Sequence, residues 1–439
     1  MAFPAIVAPS FGTAVIADAH ESRREPGKVT TGRRHFAVIA SPTPGHLNPL
    51  QVLGAALVGL GHRITVIHQD DAAPLVTDPR IGFAAIPKID DDDGSLRRYN
   101  LRLAAPTGVI GLTRMIRATA AVTDRLLKQA PAVMRRIGVD AVIADSAEPA
   151  GMLLAQMLGL PVVVSVTGLP LLGEADVPPP FLGWRYRADA IGRFRNRGGY
   201  QVSERLMQPI TDVLDRHRTT WDLPDGPPVP RLYVAQCPQG LDYPRCRLPA
   251  QFRYGGPWRT PSDDPIDLPI DDRPLIFCSL GTLQGSRRAL FEKMARACAA
   301  IGARAVIGHG GGLTMADVAA LPGDPLVRAI WPQQAVLRHC AAAILHGGFN
   351  TVLDALAASV PIVALPIAFE QPGTAARVKW VGAGEVLSPG TLSVHRLAIT
   401  LDRVIGQPRY RQAASRLAAE MAAAGGAFSA AAAIDAAMS

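Results

Sequence analysis

A chain of 439 residues is too long for one core of ordinary size, so two or three domains are expected. Hydrophobic residues make up 48% and charged residues only 19%, which excludes an intrinsically disordered chain. Forty-five Lys and Arg against thirty-seven Asp and Glu leave a charge of +8, which favours anionic partners: nucleotides, nucleic acid or an acidic membrane surface.

The chain opens on an odd region. Met1 to Ala19 is apolar but lacks a basic start and is interrupted by Pro4 and Pro9, so it does not read as an export signal. Glu21 to Arg34 is charged and aperiodic, and residues 1–33 are expected to be a disordered extension or the product of a start codon placed too early. From Arg34 onward, short apolar runs alternate with longer amphipathic ones. Phe36 to Ser41 reads as a buried strand, Pro42 to Asn48 as a loop, and Pro49 to Leu60 as a helix ended by Gly61. Ile64 to His68 starts another strand. The run Asp90 to Asp93 beside Gly94 reads as a solvated loop. Val139 to Asp145, Pro149 to Leu158 and Pro161 to Val166 repeat the strand–helix–strand pattern. Strands without polar alternation, separated by helices, predict a parallel sheet covered on both faces.

Residues 256–273 are rich in Pro, Asp and Gly and read as a linker between a domain at 34–255 and another at 274–439. The pattern restarts with Leu275 to Leu280, Arg287 to Ala300, Ala303 to Ile307, Val327 to Ile330, Ala341 to Leu345 and Ile362 to Leu365. Arg409 to Met438 reads as one or two terminal helices, the last expected to pack back on the first domain. The fold class is thus α/β, with two doubly wound domains facing each other across a ligand cleft. No window approaches the roughly 18–20 uninterrupted apolar residues that span a bilayer. Five cysteines without a C-x-x-C pair fit reduced thiols in a cytoplasmic protein. His339, Cys340 and His346 lack zinc-ligand spacing, and no metal is expected.

Chemistry concentrates in Ala343 to Asp354. A buried strand stops at His346-Gly347-Gly348, and Asn350-Thr351 open a helix whose free N–H groups and dipole make a seat for phosphate. Gly347 and Gly348 permit close approach of an anion. Asp354, one turn past Asn350, can reach ribose hydroxyls. In the first domain, His46 follows the first strand and suits a general base, or alternatively caps the helix. Asp145 ends a separate strand of the same sheet and can fix the tautomer of that imidazole. No G-x-S-x-G elbow supplies a nucleophile, so the base would act directly on a substrate hydroxyl. Ser279 to Thr282 offers further hydroxyls for phosphate, and Glu370-Gln371 offer acceptors and donors for several hydroxyls. No Walker A or G-x-G-x-x-G sequence is present.

These segments resemble the UDP-dependent glycosyltransferase superfamily with the two-domain GT-B fold, from about Arg34 to the end. Ser279-Leu280-Gly281-Thr282-Leu283-Gln284-Gly285, His346 to Ala355, Phe369-Glu370-Gln371-Pro372-Gly373 and Asp145 to Gly151 look most like the bacterial zeaxanthin glucosyltransferase branch. The resemblance implies His46 as catalytic base and Asp145 as its orienting acid. It also implies diphosphate contacts from Thr282, His346, Gly348, Asn350 and Thr351, and a ribose contact from Asp354. Glu370 and Gln371 would grip the donor sugar. Asp354 stands where many relatives carry Glu. The W-x-P-Q element of the family is shortened to Trp331-Pro332-Gln333, with Gln333 keeping its distance to His346. The implied reaction is inverting transfer of glucose from UDP-glucose to a lipophilic alcohol, first among them a hydroxylated carotenoid such as zeaxanthin. A macrolide, polyketide or sterol acceptor is the alternative, as are a non-catalytic nucleotide-sugar-binding partner and an epimerase. Trp184, Tyr186 and Phe194 among Arg185, Arg187, Arg193, Arg195 and Arg197 read either as an interfacial segment for an anionic leaflet or as a solvated helix.

Overall fold

The computed structural model describes residues 32–87, 96–104, 108–260, 266–268 and 272–439. The Asp90–Asp93 run, residues 1–31 and parts of the expected linker lie outside the described residues.

Two parallel sheets form the molecule. The first contains β1 (His35–Ile39), β2 (Arg63–Gln69), β3 (Gly82–Ile86), β4 (Ala141–Asp145), β5 (Val162–Val166), β6 (Leu232–Ala235) and β7 (Phe252–Arg253), in the order β3-β2-β1-β4-β5-β6-β7. The second contains β8 (Leu275–Ser279), β9 (Arg304–Gly308), β10 (Leu326–Arg328), β11 (Cys340–Leu345), β12 (Ile362–Ala364) and β13 (Gly384–Val386), in the order β10-β9-β8-β11-β12-β13. Every residue of β1, β4 and β5 is buried, as expected of strands covered by helices on both faces. The two domains are doubly wound in the same sense. In each, the strand order reverses at the first strand, between β1 and β4 and between β8 and β11. That reversal opens a crevice at the carboxyl edge, where ligands bind in such sheets.

One helix boundary departs from expectation. The helix after β1 runs Pro44–Gly59, not from Pro49, so residues 44–48 are helical rather than loop. Pro44 occupies the first helical position, where its missing N–H costs nothing. Pro49 lies inside the helix and deprives the Gly45 carbonyl, four residues back, of its intrahelical donor. Asn350 Nδ2 of the second domain donates to that carbonyl instead, at 2.6 Å.

The domains meet over buried polar contacts. Asp242 lies between Arg245 (2.5 Å) and Arg377 (2.8 Å), and all three side chains are almost fully buried. Arg377 belongs to the Gln371–Trp380 helix of the second domain. Gly373 of that helix is required by space: a Cβ there would stand 1.7 Å from the Pro180 carbonyl oxygen. The chain ends in two helices, Pro408–Ala423 and Gly426–Met438. Ala427, Ala431, Ile434 and Met438 of the last one share a core with Phe36, Val38 and Leu53 of the first domain. Among the described residues no single helix is long and apolar enough to cross a membrane. The bent terminal pair passes that test only when taken together.

Candidate active site

The site is assembled beyond the carboxyl ends of strands from both sheets. Beyond β1, the first turn of the Pro44–Gly59 helix carries His46. At the end of β4 stands Asp145. The His46 Nδ1–H donates to Asp145 Oδ2 at 2.6 Å, which leaves Nε2 as the basic nitrogen. Asp145 is fully buried while the His46 side chain is 25% exposed, so the pair is anchored below and open toward the cleft. Thr167, just past β5, donates its hydroxyl to Asp145 Oδ1 at 3.1 Å and lies 2.8 Å from His46 Nδ1. Burial works to lower the His46 pKa. The Asp145 charge and hydrogen bond outweigh it, with help from Glu370 and Glu148, and hold it above the ordinary histidine value. Glu370, from the second domain, is thus within electrostatic reach of the imidazole. Glu148 is buried beside the dyad and accepts from Thr123 Oγ1 (3.0 Å) and the Ala150 N–H (3.2 Å). Its burial pushes its pKa up to about 7.

In the second domain, β11 ends at Leu345, His346 follows it directly, and the Phe349–Ala357 helix starts three residues after His346. Its first N–H groups have no helical acceptor and carry the positive end of the dipole. His346 is buried, and that burial lowers its pKa to about 4, so the ring is neutral at pH 7. Gly281 and Gly348 make room for it: a Cβ on Gly348 would lie 2.3 Å from His346 Nε2, and one on Gly281 2.8 Å. Thr282 follows β8 and is exposed, and Thr351 is half-buried at the helix start.

Asp354 is nearly buried. Its Oδ1 accepts from Arg259 Nε at 2.8 Å and its Oδ2 from Gln333 Nε2. Asn350, expected to donate to phosphate, spends its amide N–H on Gly45 and its oxygen on Arg259 (2.8 Å) and Gln236 (2.8 Å). Trp331 is buried, donates to the Ile307 carbonyl at 2.9 Å, and has the Arg328 guanidinium 4.1 Å over its ring. The Glu370–Gln371 pair sits where the chain turns into the Gln371–Trp380 helix. Gln371 Oε1 accepts from the Ile367 and Ala368 N–H groups, leaving its NH2 to offer to a ligand. Phe369, just before them, holds φ +56°, a conformation that costs a bulky residue free energy and gathers at functional turns.

Thr167, Gln236 and Arg259 belong to the same constellation, and sequence reasoning passed over them. Each is an isolated polar residue outside any motif. The available signal was position, since Thr167 and Gln236 stand directly after β5 and β6. Among the described residues, no group of three or more His, Cys, Asp or Glu side chains is placed to hold a metal ion.

Two facing doubly wound domains with their crevices opposed define the GT-B glycosyltransferase architecture. The calicheamicin glycosyltransferase CalG4 shares this fold, with a TM-score of 0.71 over 92% of this chain and 98% of its own, at 22% identity. The chain belongs to the glycosyltransferase family that includes the zeaxanthin glucosyltransferases. It is 36% identical to the zeaxanthin glucosyltransferase of Pseudescherichia vulneris over 81% of this chain and 86% of that one. Against the enzyme of the same name from Pantoea ananas it is 34% identical, over 90% and 94%. Residues 297–431 match the family described as erythromycin biosynthesis protein CIII-like, C-terminal domain.

Proposed function

We propose that this protein transfers glucose from UDP-glucose to a hydroxyl of a lipophilic acceptor, a hydroxylated carotenoid such as zeaxanthin, with inversion at the anomeric carbon. The observation that carries the mechanism is the 2.6 Å bond between His46 Nδ1 and Asp145, which leaves Nε2 open to the cleft. The acceptor oxygen attacks the anomeric carbon as its proton passes to His46 Nε2. The bond from that carbon to the diphosphate oxygen breaks, and its electron pair leaves with UDP. Asp145 stabilises the imidazolium. The start of the Phe349–Ala357 helix, with Thr282 and Thr351, stabilises the leaving diphosphate without calling on a metal. Glu370 and the Gln371 amide would hold the sugar hydroxyls, and Asp354 the ribose. Two relatives named as zeaxanthin glucosyltransferases support the choice of sugar and acceptor.

Incubating the protein with UDP-glucose and a panel of lipophilic alcohols including zeaxanthin, followed by mass analysis, tests the reading. A hexosyl adduct of zeaxanthin and UDP release are expected. Adducts only of other alcohols would overturn the carotenoid assignment. The His46→Ala variant should turn over at least roughly a hundredfold more slowly. Near-parental transfer by it would remove His46 as the base.

An acceptor dissolved in a bilayer requires approach to a membrane. In the Ala190–Thr220 helix, Ile191 (64%) and Phe194 (75%) are exposed near Arg185 and Arg197, apolar anchors beside cations. Trp184 and Tyr186 are folded back. Trp184 lies under Arg195, and Tyr186 stacks on Tyr243. Flotation with anionic liposomes should carry the protein upward and neutral liposomes should not. Absence of binding to both would remove the membrane contact.

A further inference from the structure

A hydrogen-bonded chain joins the base to the ribose carboxylate across the domain interface. It starts at His46 and Asp145, both touched by the Thr167 hydroxyl. The Thr167 backbone carbonyl accepts from Gln236 Nε2, and the same NH2 group donates to Asn350 Oδ1 at 2.8 Å. Gln236 Oε1 accepts from Arg259 Nη1 at 3.2 Å and from the Trp258 N–H at 3.4 Å. Arg259 Nη2 donates to Asn350 Oδ1 at 2.8 Å, and its Nε donates to Asp354 Oδ1 at 2.8 Å. Asn350 closes a second link through the Gly45 carbonyl, one residue before His46, which Pro49 leaves without a helical donor.

Gln236 is fully buried, and both ends of its amide are engaged. Its geometry is dictated from both sides: the first domain supplies the Thr167 carbonyl and the second supplies Asn350. Arg259 holds one oxygen of Asp354 and Gln333 the other, so the carboxylate is fixed in direction. A carboxylate accepts about four hydrogen bonds, so it keeps capacity for ribose hydroxyls. We infer that Gln236 and Arg259 are positioning residues that couple seating of the donor nucleotide to the setting of the general base. A donor that draws on Asp354 or on the helix start pulls on Arg259 and Asn350. That displacement passes through Gln236 to the Thr167 carbonyl and to the backbone before His46. A displacement of 1 Å at a reacting group costs about a hundredfold in rate, so small shifts along this chain are enough to matter. The inference rests on the reading of His46 as base and Asp354 as ribose ligand.

Gln236→Met keeps the length of the side chain and removes its hydrogen bonds, and Arg259→Met and Arg259→Lys probe the other node. Turnover, donor KM and the pH dependence of kcat/KM are compared with the parent, alongside calorimetric affinity for UDP and the unfolding midpoint. For Gln236→Met we expect UDP affinity within about twofold of the parent, while kcat falls roughly tenfold and the acid limb of the pH profile moves. For Arg259→Met, donor KM and the UDP dissociation constant rise roughly tenfold, and Arg259→Lys recovers part of that loss. Turnover of Gln236→Met within about twofold of the parent overturns the coupling. So does a fall in turnover, UDP affinity and unfolding midpoint together, which marks a scaffold role. If Gln236→Met does not fold, the Arg259 pair decides: equal UDP affinity in parent, Met and Lys forms overturns the inference. Should the parent transfer no sugar to any acceptor, the proposed function fails instead, and UDP affinity of the Arg259 variants still tests the donor half of the chain.

Discussion

At His46, two opposing effects meet, and their balance is measurable. Burial, the largest single effect, favours the neutral ring, but the Asp145 charge and hydrogen bond, with the charges of Glu370 and Glu148, together outweigh it, so the pKa lies above 6.5. As the proposed base, His46 works only when neutral. Therefore kcat/KM should rise with pH through a midpoint above 6.5 in the parent. Asp145→Asn keeps the shape and removes the charge, so burial acts with less opposition and the midpoint should move down. The same change releases the tautomer, and kcat should fall by at least roughly a hundredfold. A pH series of kcat/KM on both proteins checks the pair of effects. An unmoved midpoint would assign the titration to another group, with Glu148, whose pKa is about 7, the first to examine. His346 is the contrasting case. Its burial is unopposed by any nearby charge and keeps it neutral, which does not suit a proton carrier at pH 7.

At the scale of elements, the glycine-flanked junction after β11 makes its own prediction. Gly348→Ala would place a methyl 2.3 Å from His346 Nε2, so the ring or the helix start must shift. Donor KM should rise by at least roughly tenfold. Gly59→Ala has open space around it and an ordinary helical backbone, so it should leave the kinetics unchanged and slightly raise the unfolding midpoint. Steady-state kinetics and thermal unfolding of the two variants separate a local clash from a general intolerance of alanine. The junction was legible in the sequence because a buried strand, two glycines and a helix start are contiguous. The strand pattern was legible for the same reason: strands buried on both faces, such as β4 and β5, read as unbroken apolar runs. The start of the first helix was not. Pro49 resembles a first helical residue, and the Asn350 amide from the other domain supplies the Gly45 carbonyl with the donor that a proline five residues inside the helix cannot. Gln236 and Arg259 were invisible for a related reason: each has partners distant in sequence, some of them in the other domain, and no local period encodes them. That His46 and Asp145 would meet was readable because each follows a strand of one sheet, and sheet topology brings the segments after such strands to one edge.

For the molecule as a whole, the arrangement of the two domains rests partly on charge buried between them. Asp242 accepts from Arg245 of its own domain and Arg377 of the other, and Arg377 also lies 4.2 Å over the Tyr243 ring. Burial works to raise the Asp242 pKa, but the two guanidinium groups outweigh it and hold the carboxyl below its usual range. Its contribution to stability is therefore present above about pH 3.9 and is lost as pH falls through the lower folded-state value. Removing one member of a buried ion pair costs about 3–5 kcal/mol, because the other is left uncompensated. Asp242 keeps Arg245 when Arg377 is replaced, so Arg377→Met should fall at the lower end, about 3 kcal/mol. The same helix begins with Glu370 and Gln371, so loosening it should also raise donor KM, whereas a contact important only for folding would leave KM alone. Asp242→Asn and the double variant complete a cycle. If the pair acts as a unit, the double variant loses less stability than the two single losses together, by about 1 kcal/mol or more. Additive losses with an unchanged donor KM would show the interface to be held elsewhere. In that case the hydrogen-bonded chain through Gln236 and Arg259, not the buried charge, would be what aligns the donor seat with the base.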